Sequence, residues 1–230
     1  MLLTGTIFNT ICVAVGSSLG LLMGNKASSK VQTNIVTVFG LFTIAMSILM
    51  IVDINAHINV FIALTLGALL GESLSLHDRF SKFSSKLGEK DGGAFIKSTM
   101  LFCIGGMTLV GCMEEGISGD NSLIKVKSLM DLFSSFFLAL ALGRGILFSA
   151  LSVFVIQGSL TLGFYAIGNG ISDALKQDIT ATGGVILIAL ALELMGIKKF
   201  KTLDIIPALA LIPIVHYIHG ILTPLLASYL

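Results

Sequence analysis

The stretch VQTNIVTVFGLFTIAMSILMIV, residues 31–52, runs for 22 residues without a charged side chain. A helix needs about 20 mainly apolar residues to cross the hydrocarbon core of a bilayer, so this segment is long enough to span. Outward from it, the charges of the chain separate further uncharged runs at 1–25, 54–71, 98–113, 132–143, 145–172, 179–192 and 205–230. The runs 98–113, 132–143 and 179–192 are short. They span only where the flanking Lys127, Asp131 or Glu193 sits at the interface or faces protein. The pattern predicts an all-α membrane protein of about eight transmembrane helices, one integral membrane domain over 1–230, with 128–143 the weakest span. The alternation of a membrane β-barrel is absent.

Composition supports the same class. Of 230 residues, 55% are hydrophobic and only 12% charged, about half the ~25% typical of soluble domains, and mean hydropathy is +0.98. So few charges cannot clothe a water-facing surface, and the lipid bilayer is the expected surroundings. Disorder needs the opposite balance. A net charge of +1 provides no basic field for nucleic acid. Cys12, Cys103 and Cys112 all lie in apolar runs and read as small packing residues. The first 25 residues lack a basic region ahead of their apolar stretch and read as a retained first span, not a cleaved signal.

Charge asymmetry orients the chain. With the N-terminus outside and eight spans, the inner loops hold eleven Lys and Arg and the outer loops three, namely Lys125, Lys127 and Lys176. This positive-inside bias places both termini outside the cytoplasm. Removing the 128–143 span would put the Lys198, Lys199 and Lys201 cluster outside. The hydrophilic segment 73–97 then forms a cytoplasmic connector. Its Phe80, Phe83 and Leu87 suit an amphipathic helix on the membrane surface, or else a solvated loop.

Two internal likenesses stand out. Gly40–Ile51 (GLFTIAMSILMI) resembles Gly184–Met195 (GVILIALALELM), and Ile62–Leu69 resembles Ile206–Pro213. In the eight-span arrangement each pair runs in opposite senses. Spans 1–3 and 6–8 would then be inverted repeats, a plan used by many secondary transporters.

Glycines at four-residue spacing share a helix face and admit a second backbone. Gly16, Gly20 and Gly24 form one such stripe and Gly67 and Gly71 another. Their first use is helix packing, and their second is to line a path or let a helix slide. The stripe on the first span also suits a homodimer. Gly105, Gly106, Gly183 and Gly184 are places where a span can break.

Ionisable groups near apolar runs are costly and usually have a partner or a task. Glu72, Glu193 and Asp204 mark the inner side, and Glu114, Glu115 and Asp131 the outer, giving two acidic rims. Glu114 and Asp131 flank one hairpin and are expected to converge. Lys127, four residues before Asp131, pairs with it along a helix face. Glu72 would serve the opposite rim as a gate. Asn9 and Gln157 are polar residues within spans, each able to hydrogen-bond between helices or to coordinate a substrate. His216 and His219 lie on one face, with no nearby acid to complete a metal site. No zinc-protease, phosphate-loop or nucleophile-elbow motif occurs. The reading is therefore no enzyme, no cofactor and no metal.

At these motifs the chain resembles the bacterial inner-membrane proteins of domain-of-unknown-function family 554 (YqgA/YdfK-like), over nearly its whole length. The opening GTIFNTICVAVGSSLGLLMGNK carries Gly5, Asn9, Gly16, Gly20 and Gly24, and LGALLGES carries Gly71 and Glu72. The central LFCIGGMTLVGCMEEGISGD matches at Phe102, Cys103, Gly105, Gly111, Glu114, Gly116 and Asp120, followed by Lys127 and Asp131. Gln157–Gly158, Gly183–Gly184 and Pro207–Ala208 continue the likeness. Glu193 and Asp204 depart from it, since the family pattern favours Asn there. The resemblance implies a bacterial plasma-membrane location and no stated activity. The expected function is a secondary transporter or channel-like permease for a small solute or ion. Its path is expected to use Glu72, Glu114 and Asp131, supported by Asn9, Gln157 and Lys127. The alternative is a membrane scaffold or sensor acting through the 73–97 connector.

Overall fold

A computed structural model describes residues 2–24, 28–84, 86, 89–104, 106–167 and 171–227. Every regular element among them is helical: α1 Thr4–Gly24, α2 Ser29–Val52, α3 His57–Leu74, α4 Leu76–Ser84, α5 Glu89–Ile104, α6 Gly106–Ser118, α7 Ser122–Leu142, α8 Gly145–Ile167, α9 Asp173–Leu194 and α10 Ala208–Ala227, with a 3-10 turn at Thr202–Ile205. The chain is an all-α membrane protein.

Six of these helices are long and apolar enough to cross a bilayer, and a seventh crossing arises if α5 and α6 count as one span bent by 53°. The expected span over 98–113 is thus divided between two helices, where the adjacent glycines allowed a break. The first ends at Ile104 and the second begins at Gly106; residue 105 lies outside the described residues. The eighth expected span, α7, fails on apolarity because its 21 residues include Lys125, Lys127 and Asp131. Even so, α7 runs from one end of the bundle to the other. At one end Glu115 bonds Gly5 and α6 touches α8 between Gly116 and Tyr165. At the other, the turn after α7 packs against Asp91 near the start of α5. Lys127 and Asp131 are 5% and 7% exposed, so the charges face protein, the condition under which such a helix can span.

The connector is shorter than its expected bounds 73–97. The third helix continues to Leu74 and α5 begins at Glu89, with Ala94 and Phe95 buried. Phe80 is half-buried. Its ring stacks on Phe95 at 5.9 Å between centroids, which docks α4 onto the bundle. Leu87 and the side chain of Phe83 lie outside the described residues.

The internal likeness extends to three dimensions. Ser28 and Ser172 cap α2 and α9 in the same conformation (φ −66°, ψ 154° and φ −70°, ψ 154°), each accepting from the backbone N–H three residues on. Gly40 faces Met195 and the Ala191 carbonyl, and Gly184 faces Ile51 and the Ser47 carbonyl. All these positions are separated by one offset (184 − 40, 172 − 28, 195 − 51 and 191 − 47 each give 144). So if i touches j of the second repeat, the equivalent of i touches the equivalent of j, which is the reciprocity a two-fold axis imposes. The same holds for α3 with α10. Gly71 meets the Asp204 backbone, and Val60 and Val215 share one core cluster. Gly67 meets Ala208 where Gly71 meets Asp204, so the register falls on one helix as it rises on the other. The repeats are α1–α3 and α8–α10, paired antiparallel across a pseudo-two-fold.

Glycines set these close approaches. The backbone of α7 lies against Gly16 and Gly20 of α1, through the Leu132 and Phe136 carbonyls. Gly24 ends the helix. The stripe expected to pack helices therefore does so within one chain.

Candidate functional site

Where α1, α7 and α8 meet, the bundle interior becomes polar. The Asn9 amide, fully buried on α1, donates through Nδ2 to Gln157 Oε1 on α8 at 2.8 Å. Gln157 Nε2 lies 3.4 Å from Thr6 Oγ1. On α7, Asp131 accepts from Lys127 Nζ one turn earlier. Four of the six expected path residues therefore form two buried pairs, Asn9 with Gln157 and Lys127 with Asp131. Each sits on a different turn or helix, and each helix is fixed by the glycine contacts described above. Asn9 Oδ1 and Thr161 Oγ1, both buried, have no protein partner among the described residues.

The other two expected residues do not join them. Glu72 is exposed at the end of α3 and Glu114 is half-buried. On α6 it is the next residue, Glu115, that is fully buried, and its Oε1 accepts from Gly5 N–H at 2.6 Å. The expected convergence of Glu114 with Asp131 is not observed. Successive helical residues are turned by about 100°, so one position decides which carboxylate enters the bundle. The signal was the buried face Thr108, Cys112 and Glu115, at helical spacing on α6.

Three of the other acids, Glu115, Asp178 and Asp204, are anchors. The first turn of a helix leaves backbone N–H groups unpaired and carries the positive end of the helix dipole, so buried carboxylates are satisfied there. Glu115 serves the start of α1. Asp178 Oδ1 accepts from Asn55 and Ala56 N–H at 3.1 and 2.8 Å, at the entrance to α3. Asp204 accepts from His77 N–H at 2.7 Å, at the start of α4. Glu193 accepts from the Thr202 hydroxyl at 3.2 Å and pairs with Lys97 at 3.6 Å. Of the six acids expected on two rims, Glu115 and Asp204 therefore cap helix starts, and Glu193 and Asp131 form ion pairs. Asp120, in the turn before α7, is held below the usual carboxylate range by the Ser122 hydroxyl and backbone N–H. His216 Nδ1 lies 3.3 Å from Asp178 Oδ2.

Lys127 and Asp131 line a cavity of about 100 Å³ between α2, α7 and the α5–α6 break, which Phe102 and Met107 flank. Phe39, Phe42 and Met46 form its α2 wall. A groove of about 620 Å³ adjoins it between α2 and α7, and the two share Phe39, Phe42, Met130 and Ser134. The outer groove residues Val38 and Phe133 are exposed. A mainly apolar chamber, with Thr43 and Ser134 in its lining, thus has one positive and one negative group in its wall. That is the pattern of a small-molecule site, apolar with a few placed polar groups.

Comparison with known proteins gives relatives of the same length and no activity. The "Uncharacterized membrane protein YdfK" of Bacillus subtilis (strain 168) is 31% identical over 219 residues, 93% of this chain and 96% of the relative. The "Uncharacterized protein YqgA" of Escherichia coli (strain K12) is 28% identical, over 90% of this chain and 93% of the relative. No solved structure matches. The family model described as "Protein of unknown function (DUF554)" matches residues 4–217, and the chain belongs to that family.

Proposed function

We propose that the protein is a secondary transporter or channel-like permease for a small solute, lying in a bacterial plasma membrane with both termini outside, and not an enzyme. The observation that carries this reading is the chamber with the buried Lys127–Asp131 pair in its wall, inside a bundle built from antiparallel repeats. Inverted repeats give a transporter two related conformations around one central site. A pair of charges kept in a low-dielectric interior costs several kcal/mol of desolvation per ion, a cost that a purely packed bundle would have no reason to retain. The scaffold alternative would use the face of α4 that carries the exposed Asp78 and Arg79, since the other face docks through Phe80 on Phe95. The stripe at Gly16 and Gly20 is filled by α7, so a homodimer would be built on another face.

The test is access. In a chain with Cys12, Cys103 and Cys112 replaced by Ala, Ser134→Cys in the chamber should react with a water-soluble thiol reagent from at least one side of the membrane. The reading fails if Ser134→Cys stays unreactive from both sides while Ser118→Cys, on an exposed helix end, labels.

A further inference from the structure

We infer that the chamber takes a zwitterion carrying an apolar group, with its oxyanion on Lys127 and its ammonium on Asp131. Lys127 and Asp131 are each other's ion-pair partner, and both are more than nine-tenths buried. Their charges cancel. A singly charged ligand that paired with one of them would leave the other uncompensated in the interior, the arrangement that low dielectric penalises most. An uncharged ligand would gain nothing from the pair. A zwitterion replaces one ion pair within α7 by two ion pairs to the ligand and leaves the site neutral. Asp131 is itself buried on α7, so its carboxylate stays within the wall when Lys127 turns to the ligand.

The rest of the wall selects the remainder of the molecule. Phe39, Phe42, Met46, Met107 and Met130 are apolar, and methionine side chains adapt to irregular apolar shapes. A cavity of about 100 Å³ has the volume of about three waters of liquid, enough for the charged head. The shared wall at Phe42 and Met130 leads into the groove of about 620 Å³, which receives the apolar group. Two sources offer this chemistry: an apolar amino acid from water, and a single-chain zwitterionic lipid entering between α2 and α7.

The assignment rests on the proposed site but not on flux, so binding is measured first. Purified full-length protein in detergent is heated, and the surviving folded fraction is read by size exclusion. L-Leucine or L-phenylalanine is compared with isovalerate and isoamylamine, which keep one charged group each, and with lysophosphatidylethanolamine. A zwitterion should stabilise at a concentration about tenfold or more below that of either singly charged analogue, the loss of one charge-assisted hydrogen bond. Leucine or phenylalanine acting alone assigns the aqueous source, and the lysolipid acting alone the bilayer source. Both results uphold the chemistry. The double variant Lys127→Met/Asp131→Leu, neutral throughout, should lose the effect, as should Ser134→Phe, which fills the chamber and keeps both charged residues. Equal stabilisation by isovalerate or isoamylamine overturns the assignment, as does no response to any zwitterion. Zwitterion binding without uptake into proteoliposomes would sink the transporter reading and leave the assignment standing. Uptake of a singly charged solute through the same chamber would do the reverse.

Discussion

Asn9 donates to Gln157 at 2.8 Å across α1 and α8, and the pseudo-two-fold maps these residues onto Val153 and Val13, which lie together in an apolar core cluster. One backbone crossing is thus used twice, once as packed core and once as a polar bridge. The symmetry builds the frame, and its violation at Asn9 and Gln157 marks where the frame departs from simple packing.

Removing one member of the bridge should cost more than removing both. Asn9→Val leaves Gln157 Oε1 without its donor and Gln157→Val leaves Asn9 Nδ2 without its acceptor, at about 1–3 kcal/mol, whereas Asn9→Val/Gln157→Val places valines as at the symmetry-related Val13 and Val153. Thermal midpoints in detergent should fall for each single variant and recover for the double. A double variant less stable than both singles would contradict a bridge of this kind.

The ion pair should behave in the same way at larger scale. Lys127→Met leaves Asp131 uncompensated and should destabilise by about 3–5 kcal/mol, while Lys127→Met/Asp131→Leu should lose far less or nothing. A thermal-stability double-mutant cycle checks this. Additive losses would mean that the two groups do not depend on each other.

The repeat relation makes a paired forecast for glycines. A Cβ at Gly184 would meet Ile51 and the Ser47 carbonyl at 2.9 Å, and one at Gly40 would press on Met195 and the Ala191 carbonyl. Gly40→Ala and Gly184→Ala should therefore cost similar amounts, about 1–3 kcal/mol each. Gly71→Ala, which drives a methyl into the Asp204 backbone, should be the more damaging. Gly163→Ala, on α8 with nothing within 4 Å, should be neutral or stabilising by up to ~1 kcal/mol. Expression and melting of the four variants provide the check.

Topology is open to direct labelling. Asp178 holds the turn at Asn55, so Asn55 and the exposed Gln177 lie at one end of the bundle. Asp204 holds His77, so the exposed Lys199 belongs to the other. In a cysteine-free background, Asn55→Cys and Gln177→Cys should react with an impermeant reagent outside intact cells, and Lys199→Cys should not. Reaction of Lys199→Cys from outside would remove α7 from the spans.

The membrane class and most of the crossings were legible in the residue order alone, which also suggested two related halves. These rest on local quantities, since hydropathy and charge spacing along one helix do not depend on its neighbours. The Lys127–Asp131 pair was legible for that reason, being a spacing of four on one helix. The partnership of Asn9 with Gln157 was legible only as two polar residues in apolar runs, because 148 positions separate them. Tertiary structure alone decided that Glu115 and not Glu114 turns inward, and that Asp178 and Asp204 cap other helices. It also decided that the α1 glycines face α7 and that a chamber opens beside the ion pair. Each of these outcomes depends on the rotation of one helix against another. That rotation is set where carbonyls approach glycines at a crossing, a contact between segments that no local pattern encodes.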